Sequence, residues 1–376
     1  MRIIAFKDGQ PCWSDDFITW HMIETVVRST PFRIFESIVR GIQSRLNLPY
    51  FNLFDSYHFS DACLIAAADC DILYERFWIL ASGGMISCKR LGTPIIYEVN
   101  GDLVGEFHEQ GVKLSRGQWA IIHFITRRMF EEAGQVVAVS QTLKERIVQQ
   151  LHLCVKNISV IENGADVELF NNLNQDQVQA IRSKYGINSG SAIIFVGTFK
   201  PWHGIEFLID VFNRIAASNP NAKLILVGDG TLRTEIETQV DSLNLKNRVI
   251  LTGLVKHQEI PAFLGAADIA VLNVRVSEAS SSQSPLKLFE YMAAGKAIVA
   301  PKINNIAKVL TDRETGLLVP PSNIEALKCA LEILLADDQL RLRLGRAARL
   351  QALEHHSWDR TVARLEKVFN RILENY

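Results

Sequence analysis

The chain has 376 residues, 48% of them hydrophobic and 22% charged, with a formal net charge of -1. That length exceeds one ordinary core, which stops growing at roughly 250 to 300 residues, so two domains are expected. The apolar content excludes a disordered chain, and the near-zero charge excludes a broad nucleic-acid or polyanion surface.

The chain opens MRIIAF and continues KDGQPCWSDDF, with a single glycine and no long apolar run ahead of a small-residue cleavage site. No secretory signal is read there, and a cytosolic protein is expected. Residues 1–60 show little periodicity. From Asp71 onward short apolar runs alternate with longer amphipathic ones, the rhythm of βα units and a parallel sheet. Strands are predicted at 71–74 (DILY), 94–99 (PIIYEV), 135–139 (QVVAV) and 158–161 (ISVI), with helices between them. Glu75 and Arg76, just after the first of these, either line a substrate face or form a local ion pair. Asn163 and Gly164 read either as a plain turn or as residues shaping a cleft.

The polar stretch 171–190 suits a domain boundary, placed at residue 180. Strands then recur at 192–197 (AIIFVG), 223–228 (KLILVG), 248–252 (RVILT), 269–273 (IAVLN) and 297–300 (AIVA). Continuous apolar strands are buried on both faces, so helices should cover both sides of each sheet in two doubly wound α/β domains, 1–180 and 181–355. Ligands in such sheets bind beyond the strands' carboxyl ends. The tail 356–376 spaces Val362, Leu365, Val368 and Ile372 along one helical face that needs a packing partner.

No apolar stretch approaches the roughly 18 residues of a membrane span. The six cysteines are scattered without metal-ligand spacing and read as reduced, packed thiols. No GxGxxG opens a helix with an acidic residue at the next strand end, which disfavours a dinucleotide-dependent oxidoreductase.

The segment Ser284–Gly295, SPLKLFEYMAAG, is bounded by Ser284 as N-cap, Pro285 at the first helical position and Gly295 at the end. Its amino end is a natural anion site, yet Lys287 puts a cation in the first turn, where the helix dipole disfavours one; that suggests an anionic ligand. Glu290 has the chemistry to accept hydrogen bonds from vicinal ribose hydroxyls. Lys287 and Glu290, at i and i+3, equally fit a surface ion pair. VGDG at 227–230 reads alone as a tight turn.

Taken in order, VGTFKPWHG (196–204), LVGDG (226–230), LTGLV (251–255), SPLKLFEYMAAGKAIVA (284–300) and TGLLVPP (315–321) resemble glycosyltransferase family 4. AVSQTLKE (138–145) and VIENGADVELF (160–170) are similar to that family's domain-joining region, so the resemblance runs from about Asp71 to the C-terminus. It implies a GT-B fold and a retaining transferase that binds a nucleotide-diphosphate sugar in a cleft between its domains. It also implies a C-terminal helix that crosses back to the first domain. SPLKxFEYMA together with EVN resembles a subgroup of bacterial polysaccharide-associated transferases.

By that resemblance Glu290 holds the donor ribose, Lys287 lies near the phosphates, and Leu254 and Val255 accommodate the base. Gly197, Gly230, Ser284, Pro285 and Leu288 join the donor site, and Glu75, Arg76 and Glu98 the acceptor side. Three positions depart from the family pattern. The usual second glutamate, with seven residues between it and Glu290, is Ser282, followed by Gln283; either can hydrogen-bond a sugar hydroxyl. The arginine and lysine that clamp the diphosphate correspond to Thr198 and His203, with Lys200 and Lys287 as replacements. His203 is read either as a phosphate ligand, cationic in its ordinary range, or as a residue that merely caps a helix or lies exposed. Asn100 stands where a histidine often follows the strand and orients the acceptor, since an amide is no base.

No DxD motif ends a strand, so no catalytic metal or other cofactor is expected beyond the nucleotide-sugar co-substrate. The acceptor is expected to be a glycan, a lipid-linked or a small molecule, with peripheral membrane contact open, although no basic amphipathic helix stands out. The departures leave a second reading, a catalytically silent sugar-nucleotide-binding subunit of a biosynthetic complex.

Overall fold

The computed structural model describes residues 3–7, 10–14, 21–22, 30–45, 53–102, 105, 114–171, 173–187, 190–275, 282 and 284–375. The chain divides into two compact units, one formed by Met1–Ile161 with Leu365–Tyr376 and the other by Glu162–Arg364.

The first unit carries a parallel sheet in the order β4 (Leu73–Arg76), β5 (Ile95–Val99), β6 (Gln135–Ala138), β7 (Ile158–Val160). Successive side chains of a strand point to opposite faces. Ile95, Tyr97 and Val99 accordingly join Phe77, Met129 and Phe130 in one cluster, while Ile96 and Val137 join Val368 and Ile372 of the helix Trp358–Leu373 in another. Leu365, Val368 and Ile372 of the tail therefore have their partner within this unit, whereas Val362 is exposed. Ser140 caps the helix Gln141–Leu151 by accepting from the Leu143 N–H, which presents Leu143, Ile147 and Leu151 to the core. The opening strand does not enter the parallel sheet. β1 (Ile3–Lys7) pairs antiparallel with β2 (Gln10–Ser14), and β2 with β3 (His21–Met22), because a sequence neighbour offers a partner without a long crossover.

The second unit is a six-stranded parallel sheet in the order β10 (Val249–Gly253), β9 (Lys223–Val227), β8 (Ala192–Val196), β11 (Ile269–Val271), β12 (Ala297–Pro301), β13 (Leu317–Val319). Ile194 and Val196 of β8 pack with Leu288 and Tyr291, and Ile193 and Phe195 with Leu208, Val211 and Phe212, so both faces are covered. The strand order reverses between β8 and β11, and this is the switch point where a crevice opens beyond the carboxyl ends. β13, inside TGLLVPP, is a strand that the apolar runs did not announce.

The boundary expected near residue 180 lies instead at Ile161. Phe170 is fully buried in the second unit's core, Ile181 and Tyr185 pack against that core, and Val178 is buried. A Cβ on Gly265 would come within 2.7 Å of Val178 Cγ2, so the helix Gln175–Lys184 is seated closely on this unit. Its polar exposed face imitated a linker. Among the described residues no helix is long and apolar enough to cross a membrane.

Candidate functional site

At the switch point, β8 runs into a loop that turns at Gly197 with φ 148, and β9 into a loop that turns at Gly228 with φ 136. The two loops touch: a Cβ on Gly228 would lie 2.0 Å from the Gly197 carbonyl oxygen, and one on Gly230 2.5 Å from that of Phe199. VGDG is thus more than a turn. Its glycines let the β8 loop sit against the β9 loop, and this packing is the reason for Gly230. From the other side, Asn273, after β11, donates its Nδ2 to the His203 and Gly204 carbonyls, and the Arg275 N–H donates to the Trp202 carbonyl at 2.8 Å. The loop Gly197–Gly204 is fixed from both sides.

The helix Leu286–Ala293 points its amino end at this loop. Pro285, with φ -71 and ψ 114, occupies the cap position expected for Ser284, and Gly295 ends the helix in the left-handed region with φ 64. Ser284 is displaced from capping because its carbonyl is held by Asn163 Nδ2 at 2.9 Å, which also gives Asn163 a purpose beyond a turn. The Val196 N–H donates to the buried Tyr291 hydroxyl at 2.8 Å, pinning the end of β8 to this helix. Leu288 does not belong to the site. At i+2 from Leu286 it turns inward and is fully buried in the core.

Lys287 is half-buried, and its Nζ sits 4.3 Å from the Phe195 ring centroid and 3.5 Å from His203 Nδ1. A Cβ on Gly197 would lie 2.4 Å from that Nζ, so the glycine makes room for the ammonium. The surface ion pair with Glu290 is not formed: Glu290 Oε1 is 3.0 Å from His257 Nε2 instead, because Lys287 is drawn towards the β8 loop. Burial pushes Lys287 down to about 7, against the pull of Glu290. His203, packed edge-on to Phe195, is pushed down to about 3, first by burial and then by Lys287. Burial and the neighbouring Lys287 thus disfavour the cationic form of this ring in the ligand-free protein.

Thr198 is exposed and its carbonyl accepts from the Lys200 N–H, while Lys200 Nζ lies 5.9 Å from the Trp202 ring centroid. Leu254 is 80% exposed after β10, and its neighbour Val255 packs against the core. Ser282 is fully buried, and Gln283 lies outside the described residues.

In the first unit the acceptor-side trio separates. Arg76 and Glu98 are paired in register on one face of the sheet, whereas Glu75 pairs with Tyr97 on the other. Alternation along β4 thus forbids the Glu75–Arg76 ion pair. Glu75 instead accepts from the Gly84 N–H at the start of the helix Gly83–Leu91, and burial pushes its carboxyl up to about 8. Glu98 takes a hydrogen bond from the Tyr74 hydroxyl on one oxygen and from Asn100 Nδ2, at 2.5 Å, on the other. The amide oxygen of Asn100 is thereby turned away from Glu98 and left as an acceptor.

Sequence reasoning missed His257, Asn273, Tyr291 and Tyr74. Each works through a contact distant along the chain, from Tyr74 within β4 and Tyr291 within the helix Leu286–Ala293 to His257 and Asn273 beyond strand ends. Among the described residues no group of three or more His, Cys, Asp or Glu side chains is arranged to hold a metal.

The family model for glycosyltransferase family 4 matches residues 22–169, and that for glycosyl transferases group 1 matches residues 177–351. The chain is 23% identical to alpha-D-kanosaminyltransferase of Streptomyces kanamyceticus over 70% of its length and 67% of that protein's. It is 28% identical to D-inositol 3-phosphate glycosyltransferase of Corynebacterium glutamicum over 81% of its length and 73% of that protein's. Its fold is similar to Anabaena HepE in complex with UDP, with a TM-score of 0.71 and 20% identity over 83% of this chain and 82% of that one. With the two family models matching its two halves in turn, and with a doubly wound parallel sheet in each, the chain belongs to glycosyltransferase family 4 and is a glycosyltransferase of the GT-B fold.

Proposed function

We propose that the chain transfers a sugar, with retention, from a nucleoside-diphosphate sugar to a glycan, lipid-linked or small-molecule acceptor in polysaccharide or glycoconjugate biosynthesis. The observation that carries this is Lys287: a cation at the positive end of a helix, half-buried over Phe195, with no carboxylate within ion-pair distance among the described residues. Such a group is held in an unfavourable place unless an anion arrives, and a diphosphate supplies it.

In this reading Lys287, with Gly197, Thr198 and Lys200, receives the diphosphate. Glu290 takes the ribose hydroxyls, Leu254 and Val255 cover the base, and Gln283 hydrogen-bonds the sugar, Ser282 being fully buried. Asn100 accepts a hydrogen bond from the acceptor hydroxyl, held in orientation by Glu98, with Arg76 beside it. The bond from the anomeric carbon to the phosphate oxygen breaks and the bond to the acceptor oxygen forms on the same face. The acceptor proton goes to the leaving phosphate, so the protein supplies positioning and charge rather than a base. No metal is required in this scheme, and activity is expected to survive EDTA.

HepE structures that hold UDP, and UDP with glucose, support uridine nucleotides as the first donors to test. Peripheral membrane contact is supported by Ile34, Phe35, Ile38 and Ile42, all exposed on successive turns of the helix Thr30–Arg45, a face that the sequence reading overlooked.

The test is a thermal-shift screen of nucleotide sugars, followed by slow donor hydrolysis with wild type and Glu290→Ala. Stabilisation by one nucleotide class, with hydrolysis lost in Glu290→Ala, is expected. No stabilisation by any donor would sink the proposal; binding without turnover on any acceptor would favour a silent sugar-nucleotide-binding subunit.

A further inference from the structure

The loop that follows β4 is anchored almost everywhere along its length. The Phe77 N–H donates to the Glu98 carbonyl at 2.8 Å, extending the ladder between β4 and β5, and Phe77 is buried beside Tyr97 and Phe130. The Ala81 N–H then closes a turn onto the Trp78 carbonyl at 3.1 Å. Ile79 and Leu80 are buried in the same core. Ser56 Oγ, on the helix Leu53–Ala66, donates to the Leu80 carbonyl at 3.2 Å and accepts from the Ser82 N–H at 3.1 Å. Leu80 has a φ of 62, a region that a bulky residue keeps only where its surroundings over-determine it. Trp78 is the exception in this fixed loop, 56% exposed between the buried Phe77 and Ile79.

Alternation along the strand decides where that indole stands. Tyr74 and Arg76 lie on the face opposite Glu75 and Phe77, so Trp78 returns to their face. The register Arg76↔Glu98, carried two residues further, sets Trp78 beside Asn100, with the strands about 4.8 Å apart. Lower on this face Tyr74 packs edge-on to Phe369 of the terminal helix, which covers Ile96 as well. The carboxyl end, where such sheets bind ligands, carries Trp78, Arg76, Glu98 and Asn100. Arg76 is exposed, and Asn100 donates to Glu98. An aromatic face rimmed by a guanidinium, a carboxylate and an amide matches a pyranose, whose C–H groups meet the negative ring face while its hydroxyls meet the polar rim. An acyl chain in the same place would leave those polar groups unpaired.

We propose that Trp78 is a stacking platform for a pyranose ring of the acceptor, the ring whose hydroxyl Asn100 holds. The inference rests on the acceptor-side reading of the proposed function. It narrows the acceptor to a molecule that presents a sugar ring with a C–H face, free or attached to a carrier, and makes Trp78 a residue that selects it.

The experiment incorporates 5-fluorotryptophan into the full-length protein and assigns the Trp78 19F resonance by its loss in Trp78→Phe. Methyl glycosides of glucose, galactose, mannose and N-acetylglucosamine are titrated in, and phosphatidylcholine–phosphatidylglycerol vesicles in a parallel arm. Nucleoside-diphosphate thermal shift is measured on the same samples. At least one glycoside should shift the Trp78 resonance saturably. Trp78→Leu, apolar but without a ring face, should weaken that binding about tenfold by ligand-observed NMR, and Trp78→Phe, with a smaller ring, about threefold. Both variants should keep the nucleotide shift. In turnover with the donor found in the screen, Trp78→Leu should raise the acceptor KM by a similar factor and leave the donor KM unchanged. No saturable shift with any glycoside, or glycoside binding that Trp78→Leu retains in full, overturns the proposal. A Trp78 resonance that answers to vesicles and not to glycosides overturns it in favour of a membrane contact. A nucleotide response without a glycoside response refutes this inference alone. A glycoside response with no response to any nucleotide removes the acceptor role and the proposed function together.

Discussion

Lys287 offers the most demanding test, because its predicted behaviour is quantitative. Burial beside Phe195 and His203 holds its ammonium at about 7, far below the ordinary lysine range. In the ligand-free protein the group is therefore half charged at pH 7 and about one per cent charged at pH 9. If the diphosphate binds the ammonium form, apparent Kd should rise about tenfold per pH unit above 7. The rise ends where the remaining contacts carry the affinity alone. A charge-assisted hydrogen bond of about 1.5 to 3 kcal/mol sets that ceiling at roughly 10- to 150-fold. Lys287→Met keeps the length and removes the charge, so its Kd should be weaker by that factor at pH 7 and should hardly change from pH 7 to 9, with the two curves meeting at high pH. The assay is calorimetric titration of the nucleoside diphosphate identified in the screen. The window stays above pH 7 because phosphate itself titrates near about 6. A wild-type Kd that is flat from pH 7 to 9, or a slope that persists in Lys287→Met, would refute the reasoning.

His257 should act through Glu290: His257→Ala is expected to raise the donor KM by about 3- to 10-fold with kcat little changed, and His257→Gln to recover part of the loss, as one hydrogen bond of about 1 kcal/mol implies. Steady-state kinetics at saturating acceptor checks it. Glu75, pushed up to about 8, keeps its proton in the folded protein over a range where the unfolded chain releases it, so stability should fall as pH rises from about 4.5 towards 8. Glu75→Gln should flatten that dependence in urea melts, and wild type should be the less stable protein at pH 8.5. Gly228→Ala must fit a methyl 2.0 Å from the Gly197 carbonyl oxygen at a φ of 136, and a loss of more than about 2 kcal/mol is expected, read as a fall in Tm together with weakened nucleotide binding.

The sequence by itself determined the class of fold. Continuous apolar strands such as AIIFV and KLILV can be buried only by helices on both faces, and that local pattern is independent of distant contacts. It also marked the helix from Leu286, through Pro285, Gly295 and the out-of-place cation Lys287, because caps and first-turn charges act within a few residues. Whether Lys287 paired with Glu290, whether Glu75 met Arg76, and on which unit the stretch around Phe170 folds were questions that spacing left open. Tertiary structure decided them, since each answer depends on groups far along the chain: His257 across from Glu290, the Gly84 N–H beneath Glu75, and Gly265 behind Val178. The lowered basicity of His203, the clamp of Asn273 on the Gly197–Gly204 loop and the exposure of Trp78 in a buried loop are likewise invisible in sequence. Burial and unpaired polar atoms are properties of packing, and a linear pattern carries them only as far as one face of one helix or strand.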